Sequence, residues 1–354
     1  ERLHGGLIAL RWKLMMKKVK VEKAVGMVLA HDITRIIPGK FKGVAFKKGH
    51  IVCQEDIPEL IKLGKKHLYV LNLSSMYLHE DEAALRIARA VCGKQLRWTV
   101  PAEGKSNIIS EARGIVKVNR VALQKINKLG KIIIATLKNN FPVQKDQIIA
   151  ATRIIPLTIN LKKIERLESL AGDQYPVITV MPYRKLNIGA VVTGSEIFEG
   201  LIQDEFARYV GRKVRKYGCR VVKKILVPDK PAAIATAIGE LKDLGCDLIL
   251  TTGGLSVDPD DVTRQGVKEI GAQVIAYGAP VLPGAMFMYA RLNNVPILGL
   301  PACVYYHAST IFDLIFPRVL AGDEITRDEI AEMGHGGLCL NCARCRFPVC
   351  PFGK

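Results

Sequence analysis

The chain has 354 residues, of which 49% are apolar and 24% charged, and a formal charge of +19. That length is too great for one small core and predicts two or three domains. No apolar run approaches the roughly 18 residues that a spanning helix needs, which argues against a membrane protein and for a cytoplasmic one. The charge is lopsided: residues 1–180 hold 32 of the 52 Lys and Arg but 15 of the 33 Asp and Glu, a field that favours anionic partners in general.

Residues 1–20 read as an extension ahead of a native start at Met15 or Met16, because Arg11 and Lys13 interrupt any apolar signal core. Nine cysteines without a secretory signal point to a reducing compartment. Residues 21–78 form a β-rich accessory segment: GVAFKKGHIV and HLYVL read as strands, and EDIPELIKLG as a short helix with Gly64 at its stop. Residues 79–175 are expected to be an α+β accessory domain. Its helices are EDEAALRIARAVCG, VALQKIN and a segment capped by Asn160 and terminated by Gly172, with strands in LRWTV, GIVKV and KIIIATL.

From about 176 to 324 the texture alternates strand and helix. LNIGAVVTG, RVVKKILV and DLILTT read as strands, the first of the buried type and the last apolar. Between them lie a helix carrying Ile202, Phe206, Val210 and Val214 at intervals of four, and PAAIATAIGELKDLG with Pro231 at its start and Gly245 at its stop. The expected fold class is therefore α/β, a doubly wound and mostly parallel sheet preceded by mixed α+β accessory domains, with ligands beyond the carboxyl ends of the strands. Residues 325–354 form a separate cysteine-rich tail.

Three segments should converge at those strand ends: TGSE (Thr193, Gly194, Ser195, Glu196), TTGGLSVDPDD (Thr251 to Asp261) and LPG (Leu282, Pro283, Gly284). A Gly253-Gly254 turn lets backbone N–H groups approach a phosphate, and the hydroxyls of Thr193, Thr252 and Ser256 add polar contacts. Asp258, Asp260 and Asp261 could hold Mg²⁺ or accept hydrogen bonds from a ring N–H. The competing reading is an ordinary tight turn followed by acids that compensate the dipole of the next helix.

TGSE, Asp229 in LVPDKP, TTGGLSVDPDD and PVLPGAMF occur in the order and approximate spacing of the molybdopterin molybdenumtransferases, the family that includes the gephyrin E domain, and residues 186–320 resemble it. AVGMVLAHDI, AFKKGHIV with EDIPELIKLG, and VPAEGKSNII are similar to its accessory domains. The resemblance implies a molybdopterin-binding domain, Mg²⁺, a homodimer, and transfer of molybdenum from molybdate to adenylated molybdopterin with release of AMP. It assigns Glu196, Asp229 and Asp260 or Asp261 to metal or substrate, and Thr193, Gly194, Ser195, Thr252, Gly253, Gly254, Ser256, Asp258, Pro283 and Gly284 to pterin binding.

The departures are specific. Leu282 and Ala285 stand where the family places lysines, Pro301-Ala302-Cys303-Val304 replaces Pro-Gly-Asn-Pro, and residues 325–354 read as a short cysteine-rich tail where the family's final β domain would be expected. Molybdenum insertion is accordingly expected to be slow unless Arg184, Lys185 or Arg264 supplies the charge. The alternatives are a noncatalytic pterin-binding maturation factor for a molybdoenzyme, a nucleotide hydrolase of the competence type, which shares the TTGGL turn, and a nucleic-acid binder. The last is the weakest, since no nucleic-acid module appears and little aromatic interleaving exists beyond Trp12 and Trp98.

The tail CLNCARCRFPVCPFGK places Cys339, Cys342, Cys345 and Cys350 in CxxCxxCxxxxCP. Close thiolates suit a soft metal, and the run is nearer to an iron–sulfur pattern than to Zn²⁺, with His335 as a spare ligand.

Overall fold

The computed structural model describes residues 16–37, 41–71, 76–173, 176–255 and 262–353. They divide into two compact units. One comprises the described residues up to Ile109 with Val118–Leu137 and Gln147–Thr179; the other comprises Ser110–Lys117, Lys138–Asp146 and the described residues from Val180 onward.

In the first unit, Met16–Lys20, His67–Leu71 and Val28–Leu29 form an antiparallel sheet. The helix Ile57–Lys62 buries Ile57 and Leu60 in a cluster with Val21, Leu29, Val52, Leu68 and Val70. A four-stranded antiparallel sheet follows, in the order Ile132–Thr136, Ile148–Ile154, Lys105–Ser110, Leu96–Trp98. The helices Glu80–Val91 and Leu161–Asp173 are joined by a two-pronged Arg86–Glu168 pair at 2.8 and 2.6 Å. Asn160 caps the second of these helices through Lys162 N, as expected, but the helix continues through Gly172 to Asp173.

The second unit is built on a six-stranded sheet. Its elements are β1 (Asn187–Thr193), α1 (Arg212–Lys216, led by a π-helical turn over Ala207–Gly211), β2 (Arg220–Val227), α2 (Pro231–Asp243), β3 (Leu248–Thr252), α3 (Thr263–Glu269), β4 (Gln273–Tyr277), β5 (Met288–Leu292), β6 (Val295–Leu300), α4 (Ile311–Ala321) and α5 (Arg327–Glu332). The strand order is β2-β1-β3-β6-β5-β4. β2, β1, β3 and β6 are mutually parallel, and β5 is antiparallel to both its neighbours. This is the expected α/β class with a mostly parallel sheet.

The continuous apolar character of the strands follows from burial on both faces. Ile188, Ala190 and Val192 of β1, Leu248 and Leu250 of β3, and Leu298 and Leu300 of β6 pack with Val210, Val214, Phe312 and Phe316. The alternate residues Val191, Ile249 and Ile297 face the other way, into Ile234, Ile238 and Leu241 of α2 and Val267 of α3. One expectation fails locally. Phe206, Val210 and Val214 are buried, but Ile202 is 57% exposed and lies ahead of the helical turns, so the four-residue spacing overshoots the helix start by one turn.

The tail folds back on this unit. Leu282 N donates to Gly337 O and Cys339 N to Leu282 O, both at 2.8 Å, while Gly353 N donates to Gly336 O at 2.8 Å. Phe352 is 3% exposed and belongs to the core cluster beneath α4. Among the described residues no helix is long and apolar enough to cross a membrane.

Candidate functional site

The parallel strands end together: Val192 of β1 is level with Thr252 of β3, which is level with Leu300 of β6. β1 stops at Thr193 because Gly194 takes φ +142°, and a one-turn helix Ser195–Phe198 follows. The Asp229 carboxylate, just past β2, accepts from Ser195 N at 2.8 Å and from Ser195 Oγ at 3.3 Å. Both contacts use Oδ2, so the ends of two adjacent parallel strands are tied while Oδ1 has no protein partner among the described residues. Glu196 is exposed on the same helical turn.

The Gly-Gly turn is required by close approach. A Cβ on Gly253 would stand 2.2 Å from Thr193 O, and one on Gly254 2.6 Å from Thr263 Oγ1, with φ at +90° and +55°. Thr263 Oγ1 donates to Gly253 O at 2.8 Å, pinning the turn to the start of α3. A bulky side chain at Gly254 would therefore disturb the turn itself as well as any ligand.

Around this turn lie three buried threonines, Thr193, Thr251 and Thr252, each at most 2% exposed. Their hydroxyl oxygens have no hydrogen-bond partner among the described residues. The Tyr305 hydroxyl, from the loop after β6, faces Thr252 without closing a well-formed bond. Burial pushes the Tyr305 phenol up to about 12, with Thr252 opposing and Asp204 adding to the rise, so it is a neutral hydrogen-bonding group at neutral pH. Thr193 and Thr252 end adjacent parallel strands beside the glycine turn, while Thr251, one residue earlier on β3, points to the opposite face of the sheet from Thr252.

Ser256, Asp258, Asp260 and Asp261 lie outside the described residues. Pro283 and Gly284 sit on the same edge of the sheet, because Met288, which opens β5, pairs with Gly299 near the end of β6. Their contacts are structural: Gly284 at φ +134° packs against Ile311 and Pro283 O accepts from Ile311 N, while Leu282 is held by the tail. Leu282 is 56% exposed and apolar, as its sequence position foretold. Two of the suggested substitute cations are otherwise engaged. Arg184 donates to Val319 O and Leu320 O at the end of α4, and Arg264 stacks 4.8 Å over the Tyr277 ring.

The four tail cysteines carry free thiols, and among the described residues no group of three or more His, Cys, Asp or Glu is gathered to hold a metal. Cys339 and Cys350 pack against the core, Cys342 is exposed, and Cys345 Sγ lies 3.2 Å from Ser309 Oγ.

Two residues of the site were not foreseen. Thr251 sits within a strand whose pattern promises burial but cannot say that its hydroxyl is orphaned. Tyr305 could have been found by extending the strand-end rule to the loop after the LGL strand.

Residues 189–321 match the family model described as a probable molybdopterin binding domain, and residues 18–72 match a domain of unknown function (DUF8806). A molybdopterin molybdenumtransferase from Haemophilus influenzae is 29% identical over 150 residues, 40% of this chain and 37% of the relative. A CinA-like protein from Amoebophilus asiaticus is 28% identical over 117 residues, 33% of this chain and 26% of the relative. The chain thus spans well under half the length of the curated relatives it matches. Among solved structures, the molybdopterin biosynthesis enzyme MoaB from Thermus thermophilus aligns at 21% identity over 39% of this chain and 98% of that one, with a TM-score of 0.33. CinA from Thermoplasma acidophilum aligns at 20% identity over 34% and 90%, with a TM-score of 0.31. The segment that matches the model of the probable molybdopterin binding domain is the one that carries the Gly-Gly turn, Thr193, Thr252 and Asp229.

Proposed function

We propose that this domain binds molybdopterin or adenylated molybdopterin across the ends of β1 and β3 and serves molybdenum-cofactor assembly. The observation that supports the reading is the pair of buried hydroxyls of Thr193 and Thr252, without hydrogen-bond partners among the described residues, at strand ends beside a turn that only glycine can form. A pterin offers ring N–H and amino groups, and its phosphate offers acceptors, so both halves of each hydroxyl's bonding capacity have a counterpart. Glu196 and the free Oδ1 of Asp229 are hard oxygen donors of the kind Mg²⁺ takes, and Mg²⁺ held there would neutralise phosphate charge. The proposed homodimer and the molybdoenzyme that would receive the cofactor follow from the family resemblance.

Binding is the primary role in this proposal, and molybdenum insertion is slow. Leu282 and Ala285 present an apolar surface where an oxyanion would need cations, and Arg184 and Arg264 are committed elsewhere. Equilibrium binding of purified molybdopterin and its adenylated form tests the first part. Release of AMP from the adenylated form on adding molybdate and Mg²⁺ tests the second. Tight binding with little AMP release is expected; rapid, stoichiometric release coupled to molybdenum uptake would contradict the reading of the apolar wall. Hydrolysis of a plain nucleotide without pterin binding would favour the competence-type alternative, to which the CinA-like relatives point.

A further inference from the structure

We infer that the first unit carries a docking edge for an acidic, extended segment of a partner protein, which adds as a further strand beside Met16–Lys20. That strand is the edge of the antiparallel sheet in which His67–Leu71 is central, and among the described residues nothing pairs with its outer side.

The ladder fixes which backbone groups are left over. Val21 N donates to Lys66 O at 3.2 Å, one step past the Lys20–His67 pair, so the positions bonded to the central strand are Val19 and Lys17. Ala30 N donates to Tyr69 O at 2.9 Å from the far side of the central strand, as that alternation requires. The N–H groups of Lys18 and Lys20 and the carbonyl of Lys18 therefore point away from the sheet, with no partner among the described residues. An extended peptide repeats its donors and acceptors at the spacing such an edge demands, and a sugar-phosphate chain does not.

The side chains select the peptide. Lys18 and Lys20 are exposed on one face of the strand, opposite Tyr69 and His67. Lys17 is exposed as well, and Lys23 and Lys66 extend the charge past the strand's end. The ion pairs of this part of the chain are Arg35–Glu59, Lys47–Glu103 and His50–Asp56, none of which uses these lysines. Lysines on an open edge repel a second copy of the same edge, and the same charge attracts carboxylates. The other face carries Val19, which packs against the cluster of Val21, Leu29, Leu68 and Val70. An added strand thus sets alternate side chains beside the lysines and the rest beside the rim of an apolar core, so the selected sequence alternates acidic and aliphatic residues.

Fluorescence anisotropy of the full chain with a fluorescein-labelled peptide alternating Glu and Val tests the inference. Saturable binding is expected, weaker as salt rises, and at least about tenfold weaker to Lys18→Glu/Lys20→Glu, whose circular dichroism should be unchanged. The charge-matched control Lys125→Glu/Lys128→Glu, at exposed positions elsewhere in the same unit, should bind within about twofold of the parent. The same peptide with its backbone nitrogens methylated cannot complete the ladder and should not bind. Bound peptide should slow amide hydrogen exchange at Lys18 and Lys20 and leave Val19 unchanged. No binding of the peptide, equal binding of the methylated peptide, or equal affinity of the Lys18→Glu/Lys20→Glu protein overturns the inference. So does an oligothymidylate that binds more tightly than the peptide and displaces it, which would make the edge a nucleic-acid surface.

Discussion

The Thr252 hydroxyl is buried at the end of β3 without a hydrogen-bond partner among the described residues, a state that costs the unliganded protein stability. Valine has nearly the same shape and no polar atom. Thr252→Val should therefore leave the free protein as stable or more so, by up to about 1 kcal/mol in urea unfolding. The same change should weaken pterin binding, because the ligand would lose a partner. A purely structural threonine would show neither the gain nor the opposite signs. Glu80 is a different case. It is 8% exposed in the first unit, and burial pushes its carboxyl above the ordinary range, with His79 opposing and Asp81 adding. The folded state thus favours the protonated form. That contribution to stability is full below the unfolded value and is lost as pH rises through the raised folded value. Glu80→Gln should be the more stable protein near pH 7, and its advantage should vanish below about pH 4.

At the scale of elements, β1, β3 and β6 were legible because burial on both faces leaves no polar alternation, and α2 because Pro231 and Gly245 mark its ends. The helix leading into α1 was misjudged at its start, since Ile202 has the right spacing but no partner to bury it. Gly172 failed as a stop because it does not take the left-handed conformation of a helix-ending glycine and lies within Leu161–Asp173. α4 is held by a capping box in which Thr310 Oγ1 accepts from Phe312 N at 3.2 Å and Asp313 accepts from Thr310 N at 2.9 Å. Its far side rests on the tail. Phe352→Ala should destabilise the second unit by about 3 kcal/mol, the usual cost of emptying a buried phenylalanine site, and should raise the reactivity of Cys345 toward alkylating agents. A loss below about 1 kcal/mol would mean that the tail only rests on the surface. The cysteine spacing was legible in sequence, but what the tail does there was not. Its folding depends on Leu282, Gly336 and Leu314, which lie outside the motif.

At the scale of the whole molecule, the second unit draws in Ser110–Lys117 and Lys138–Asp146, far upstream of the α/β domain. Nothing local announces this. Lys117 reaches Asp323 at 2.9 Å across more than 200 residues, and Arg113 donates to Lys216 O at 2.7 Å. The convergence of Thr193, the Gly253-Gly254 turn and Asp229 at the strand ends was legible, because glycine pairs, hydroxyls and apolar strands are written in order along the chain. The central claim is that the ends of β1 and β3 bind a pterin through hydroxyls that have no partner among the described residues. Calorimetric titration of molybdopterin into the parent chain and into Thr193→Val/Thr252→Val tests it most directly. Saturable one-to-one binding to the parent and a loss of at least about tenfold in a normally folded double variant are predicted. Equal affinity for the two proteins, or no binding by either, would contradict it.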